Sequence, residues 1–350
     1  MEMKRYIPAG VVVIVVIIIQ LITSALKVNY YLTQLTMSAY YTLLALGLCM
    51  LMGYAGQISL GQAGFFAIGG YTTAVLTTIN LATFHNSVFI DFLNTTGILL
   101  HGKNPYGDEV LYFSPWLSCT AAVCISIIAA VLIGIPVLKL KGHYLAMATL
   151  GFGTIIFRIA LGTRIFGEAD GITNIPAFTL FQGLSVSGDF SERIKNYYIA
   201  WSLVTLGLII LINLINSRSG RALRYIHGSE EAAEAMGVDT GRYKLNVFIL
   251  SAVYASTAGI FLTHYNGGIG PSEASIMKSV RYVAIVAVGG MDNLWGTLIM
   301  SVILNFLSLR GVFRTFDDAV FAIILIVIML FAPRGLLKIG IIRKRLKPIK

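Results

Sequence analysis

The chain has 350 residues, of which 57% are hydrophobic and only 12% charged, with a net charge of +10. A soluble domain carries about 25% charged residues, so a soluble fold is excluded, and apolar runs recurring from end to end indicate an all-α polytopic membrane protein forming one body over 1–350. Cys49, Cys119 and Cys124 all lie in apolar stretches without ligand spacing, which excludes a disulfide framework or metal site built on cysteine.

The first apolar run, 7–26, follows Lys4 and Arg5. The apolar core of a cleaved leader is about 7–15 residues, so this longer run reads as a retained span. A second run, 32–52, leads into GYAGQISLGQAGFFAIGGYTTAVL (53–76), where Gly53, Gly56, Gly61, Gly64, Gly69 and Gly70 alternate with Gln57, Ser59 and Gln62 and no charge occurs. Glycine at this density breaks or tightens a helix, and exposed backbone at membrane depth is tolerated only within protein or beside a water-filled cavity. A third span, 63–82, follows directly. A polar loop (84–114) precedes a fourth span, 116–138, and a turn with Lys139 and Lys141 precedes the fifth, 144–162, which contains Gly151-Phe152-Gly153 and Arg158. After a second polar loop, 164–196, comes a sixth span, 197–216. A seventh, 245–265, is followed by the short loop 267–275. The stretch 280–309 is interrupted by GGMDNLWG (289–296) and reads as two crossings, the first short; the last span, 319–331, stops at Pro333.

The count is about ten transmembrane helices. With the N-terminus inside, one side holds sixteen basic residues: Lys4 and Arg5, Lys139 and Lys141, five within 217–244, and seven in the basic tail 334–350. The other side holds eight, with Arg158 and Arg281 inside spans, where snorkelling to the interface is expected and a bundle-facing role is the alternative. This bias follows the positive-inside rule and places both termini and the 217–244 loop in the cytoplasm. The basic character therefore reflects topology and a lipid-facing tail, with no nucleic-acid partner.

Within 217–244, SEEAAEAMG (229–237) has the grammar of a short soluble helix. Ser229 can cap its first turn, Glu230 and Glu231 sit at the positive end of its dipole, Ala232, Ala233 and Ala235 favour helix, and Gly237 supplies a left-handed stop. A two-turn helix is not stable alone in water. Two readings follow: a docking helix held by a partner, or a capped turn between two spans.

No catalytic constellation accompanies it. There is no phosphate loop, Gly151-Phe152-Gly153 lacks a third glycine, Ser59 lies in the wrong spacing for a nucleophile elbow, and no two of the five histidines stand at metal-binding spacing. Ser251, Ala255 and Gly259 recur every four residues, and Ala63 and Ala67 do the same. Such faces serve ordinary helix packing. Combined with the two interrupted segments they also fit a translocation path, with Gly56, Gln57, Ser59, Gln62, Gly289, Gly290 and Asn293 as its candidate lining. Most spans lack acidic residues, which argues against proton or sodium coupling and places the energy source on another subunit. An ion-coupled carrier and a membrane enzyme are the rival classes.

Glu231-Ala232-Ala233 with Gly237 resembles the EAA loop of ABC importer permeases, the cytoplasmic helix that docks into the ATPase. The stretches 53–72, 142–153 (GHYLAMATLGFG), 220–226 (GRALRYI), 231–245 (EAAEAMGVDTGRYKL), 288–296 (VGGMDNLWG) and 330–336 (LFAPRGL) are similar to the M-type permease of branched-chain amino acid (LIV) uptake systems. Related permeases carry urea, short amides or other amino acids. The resemblance implies a permease subunit in a prokaryotic inner membrane, partnered by a second permease, two ABC ATPases and an extracytoplasmic binding protein. It implies no cofactor in this chain, ATP and Mg being bound by the ATPases. Ser229, Glu230, Glu231, Ala232, Ala233 and Gly237 would couple the two, and an uncharged passage of Gly, Gln and Ser is expected to suit a zwitterion with an apolar side chain.

Overall fold

The computed structural model describes residues 6–80, 99–103, 109–140, 142–181, 183–312 and 316–331. The basic tail at 334–350 and most of the first polar loop lie outside the described residues. Within the described residues twelve α-helices follow one another: α1 (Ile7–Ala25), α2 (Tyr30–Cys49) continued by a π-helical turn (Met50–Tyr54), α3 (Gln62–Thr78), α4 (Pro115–Val137), α5 (His143–Gly162), α6 (Arg193–Asn216), α7 (Arg218–Gly228), α8 (Glu230–Ala235), α9 (Thr240–Asn266), α10 (Ile276–Gly289), α11 (Leu294–Leu309) and α12 (Asp317–Phe331). Six of them, α1, α2 with its π turn, α4, α5, α6 and α9, are long and apolar enough to cross a membrane. The other four expected crossings fall on the shorter helices α3, α10, α11 and α12, of 17, 14, 16 and 15 residues.

The fold is not purely helical. Three two-stranded antiparallel pairs join β1 (Leu99–Lys103) to β2 (Glu109–Phe113), β4 (Phe178–Phe181) to β5 (Leu184–Val186), and β3 (Ile172–Thr173) to β6 (Gly268–Ile269). These lie in stretches expected to be polar loops. Phe178 of β4 is fully buried, its ring 5.3 Å from that of Phe261 and 5.3 Å from that of Trp116.

Burial inverts the pattern of a soluble protein. The two most apolar of the membrane-length helices, α1 and α4, are the least buried, whereas 94% of the most apolar window of α2 is enclosed. Lipid accommodates apolar side chains as well as a core does, so the interior is held by close packing and hydrogen bonds. A Cβ added at Gly259 of α9 would stand 2.1 Å from the Phe66 carbonyl oxygen of α3, and one at Gly69 would stand 2.3 Å from that of Ser256. Gly47 of α2 is pressed against Tyr254 in the same way, since a Cβ there would stand only 2.6 Å from the tyrosine Cβ. The Ser251–Ala255–Gly259 face is buried throughout, Gly259 lying against α3 while the Ser251 carbonyl lies beside Gly47 of α2. Ala63 and Ala67 are also buried.

Hydrogen bonds clamp the crossings. The Tyr254 hydroxyl donates to the Gly207 carbonyl at 2.8 Å, joining α9 to α6, and the Tyr197 hydroxyl donates to the Val16 carbonyl at 3.1 Å, joining α6 to α1. Ser126 reaches Ser256 at 2.9 Å and Thr42 reaches Ser301 at 3.1 Å. His264, fully enclosed, holds Thr73 through Nε2 at 2.9 Å and the Pro176 carbonyl through Nδ1 at 2.8 Å.

Arg158 stands exposed on α5. Arg281 does not snorkel. Its guanidinium bonds Ser308 at 3.1 Å and Asp318 at 3.0 Å, lies 3.6 Å from Asp317, and covers the Phe321 ring at 4.6 Å. The acids that open α12 meet it, and an ion pair inside a bundle replaces the aqueous shell that snorkelling would have sought.

Gly259→Val is expected to destabilise the protein by about 3 kcal/mol or to abolish folding, because the rigid neighbour is backbone. Gly151→Ala, where nothing stands within 4 Å, is expected to leave the thermal midpoint in detergent unchanged.

Candidate functional site

The 229–237 segment folds by local rules. The Ser229 hydroxyl accepts from the Ala232 N–H at 3.3 Å and opens α8. At the other end Gly237 sits at φ +79°, its N–H bonded to the Glu234 carbonyl at 2.9 Å, while the Val238 N–H reaches back to Ala233 at 3.0 Å. This paired closure is the Schellman motif, and it satisfies carbonyls that the helix end would leave open.

The short helix is held by its own chain. Glu230 pairs with Lys244 on α9, the Thr240 hydroxyl donates to Glu234 at 2.6 Å, and Ala233 is buried. Glu231, Ala232, Ala235 and Met236 remain exposed, Met236 at 84%. The six sequence-selected residues thus divide between an anchoring side, with Glu230 and Ala233, and an outward side, with Glu231 and Ala232, between the capping residues Ser229 and Gly237.

The glycine-rich segment is a genuine break. After the π turn the chain runs non-helically from Gly56 to Gly61 before α3 begins. Three of its N–H groups find partners in the protein. The Gln57 N–H reaches the Leu51 carbonyl at 3.2 Å, the Leu60 N–H donates to the Thr149 hydroxyl of α5 at 3.0 Å, and the Gly61 N–H donates to Ser59 at 3.4 Å. Gln57, Ser59 and Gln62 are all buried. Gly56 has φ +67°, and a Cβ there would meet the His227 ring at 2.7 Å.

The second interrupted segment packs on the first. A Cβ at Gly53 would overlap the Met291 carbonyl, Cys49 Sγ donates to that same oxygen at 3.1 Å, and the Tyr54 hydroxyl donates to the Asp292 carbonyl at 3.0 Å. Gly290 turns the chain at φ +97°, the Asn293 N–H bonds back to Gly290 at 2.9 Å, and Gly289 and Gly296 touch backbone to backbone.

A cavity of about 150 Å³ links these features. It is lined by Gly56 and Gln57 of the break, His227, Glu230 and Lys244 around α8, and Leu140 of the α4–α5 turn. Gly56 and Gln57 therefore share one space with the anchoring side of α8, while Gly289, Gly290 and Asn293 lie beyond Gly53. Ser59 and Gln62 are enclosed elsewhere.

The surroundings of the break are not free of charge. Glu273, on a 3₁₀ turn (Pro271–Ala274), pairs with Lys278 of α10 at 3.0 Å, and the Tyr41 hydroxyl of α2 bonds Glu273 at 3.3 Å. The Ala63 N–H, one residue into α3, donates to Ser279 beside Lys278 at 3.3 Å. From the sequence, Glu273 falls in the short loop 267–275 and Lys278 among the eight basic residues of the non-cytoplasmic side, neither with a role. Their signal was two opposite charges five residues apart around a helix-capping serine, Ser275, in an otherwise apolar neighbourhood. Among the described residues no three His, Cys, Asp or Glu side chains gather where they could hold a metal ion.

Comparison with known proteins adds to this geometry. Residues 30–333 match the family described as the branched-chain amino acid transport system permease component. The chain is 32% identical over 325 residues to LivM of Salmonella typhimurium, a high-affinity branched-chain amino acid transport system permease protein, covering 86% of this chain and 68% of that protein. Its counterpart in Escherichia coli is 31% identical with the same coverage. LivH of Escherichia coli, also a permease protein of such a system, is 24% identical, covering 88% of this chain and 96% of LivH. No solved structure matches the chain.

Gly237→Ala forces a Cβ into the left-handed region and is expected to cost about 1 kcal/mol, roughly a fivefold rise in local opening. Amide hydrogen exchange over 229–238 should quicken by that factor while exchange in α2 stays unchanged.

Proposed function

Because the chain belongs to the family of branched-chain amino acid transport system permease components, we propose that it is the transmembrane permease subunit of an ATP-driven importer of branched-chain amino acids. The single observation that carries the mechanism is the two-sided character of α8. One side is tied to the bundle through Glu230, Glu234 and Ala233, and the other presents Glu231, Ala232, Ala235 and Met236 outward.

In this reading Ser229–Gly237 is the helix that docks into a separate ATPase, the small alanines letting the partner approach and Glu231 offering charge at the rim. A second permease, a pair of ABC ATPases and an extracytoplasmic binding protein complete the assembly. ATP and Mg reside on the ATPases. The chain then crosses the inner membrane ten times, with α1–α6 and α9–α12 as the crossings. The basic bias puts both termini, the α4–α5 turn, α7–α8 and the α10–α11 turn in the cytoplasm.

Closure of the ATPases would shift α8, and the Glu230–Lys244 pair would pass that shift to α9 and to the cavity bounded by Gly56 and Gln57. The break is suited to respond, since its N–H groups make two bonds to other elements, from Gln57 to the π turn and from Leu60 to α5. Contact of Gly53 with Met291 carries the movement to the α10–α11 turn. The result is alternating access by rocking of packed helices, a common route for switching transitions.

The test is reconstitution of the full complex in vesicles. ATP-dependent leucine uptake is expected, and Glu231→Lys is expected to weaken ATPase co-purification and to reduce uptake roughly tenfold or more, since reversing a rim charge opposes complementary potentials. Uptake by this chain without ATPases, or transport of urea with leucine at background, would overturn the reading.

A further inference from the structure

The polar cluster around Glu273 and Lys278 is more than a tie between helices. The Lys278 ammonium lies 3.0 Å from Glu273 and 3.4 Å from the Tyr41 hydroxyl, so one anion, one cation and one phenol are gathered from α2, the 3₁₀ turn and α10. The two charged side chains keep 21% and 23% of their surface, enclosed yet reachable. Arg281, one turn further along α10, is committed to Ser308, Asp317 and Asp318, which leaves Lys278 to balance Glu273.

Around this pair stand polar groups with no hydrogen-bond partner among the described residues. Tyr282, on the turn after Lys278, is 1% exposed, and its hydroxyl is one of them although its charge environment includes Lys278, Glu273 and Tyr41. Its ring lies 6.1 Å from that of Tyr41. The Tyr71 hydroxyl of α3, within electrostatic reach of Glu273, is likewise buried and unpartnered there. Native structures rarely leave such groups unpaired, and each calls for a ligand or water. The starts of α3 and α10 also meet here, through the Ala63 N–H and Ser279, and helix N-termini favour anions. Phe66, stacked on Tyr41 at 6.0 Å, supplies an apolar wall.

We propose that Glu273, Lys278, Tyr41 and Tyr282 form an intramembrane site for the zwitterionic head of the transported amino acid, with the Tyr282 hydroxyl and Lys278 taking its carboxylate and Glu273 its ammonium. The proposal rests on the amino-acid permease reading above. On entry the cargo parts the resident ion pair, and each protein charge exchanges its partner for one of opposite sign on the cargo. No proton or ion has to move, because the site is neutral overall both empty and filled. The hydrophobic side chain lies against Phe66 and the tyrosine rings.

Uptake of radiolabelled leucine by the complete reconstituted complex tests this. Tyr282→Phe removes only a hydroxyl that no described protein group uses, so a purely structural role predicts unchanged uptake. The site predicts a fall of about fivefold or more, with thermal midpoint and ATPase co-purification unaltered. Lys278→Gln and Glu273→Gln should each lower uptake further. The exchange of Glu273→Lys with Lys278→Glu restores an ion pair but inverts the poles, and uptake is expected to stay low. Full uptake in Tyr282→Phe, or full recovery in the exchange variant, would overturn the site. Absence of ATP-dependent leucine uptake in the unaltered complex would instead reject the permease reading, and the site with it.

Discussion

The rest of the molecule depends on the backbone contact between α3 and α9. Gly259 against Phe66 and Gly69 against Ser256 bring two helices to a separation that any side chain would prevent. In a bilayer the apolar effect does not drive helices together, so close approach and hydrogen bonding carry the association. The bond from Thr73 to His264 fixes the direction, with both helices advancing together. Phe66 lies beside Gly259, near the last third of α9, so Gln62 starts α3 well along its partner. The chain from Gly56 to Gly61 has to cover the remaining length without helix.

That constraint explains why the break looks as it does. A non-helical segment inside a membrane protein needs its N–H groups answered by protein, and here those of Gln57, Leu60 and Gly61 find the π turn, a neighbouring serine and α5 between them. Glycine is needed at Gly56 for its left-handed φ and contact with His227, and at Gly53 because Met291 leaves no space. The break thus lies between the body of the bundle and the loop that carries α8, and the 150 Å³ cavity opens between them.

Charge is used sparingly and in company. Arg281 joins α10 to α12 through Asp317 and Asp318, Lys244 joins α9 to α8 through Glu230, and Lys278 joins α10 to the turn bearing Glu273. Each pair links elements distant in sequence or separated by a turn, which is where the penalty of burying a charge is offset by geometry and further hydrogen bonds. The apolar helices α1 and α4 hold no charged residue and turn most of their side chains outward instead.

Local features were legible in the chain itself. Ser229 and Gly237 announced α8 because capping is decided within four residues, by a hydroxyl and a positive φ. The interruptions at 53–64 and 289–296 showed for the same reason, since glycine density acts on its own backbone. Apolar length alone established a polytopic helical protein. Tertiary structure decided the rest. That Gly53 meets Met291, that α3 is shortened, that Arg281 finds acids rather than water, and that Glu273 and Lys278 meet the Tyr41 hydroxyl all turn on contacts between distant segments. Periodicity in one segment carries no record of what packs against it, because in lipid an apolar face is equally content against acyl chains or another helix.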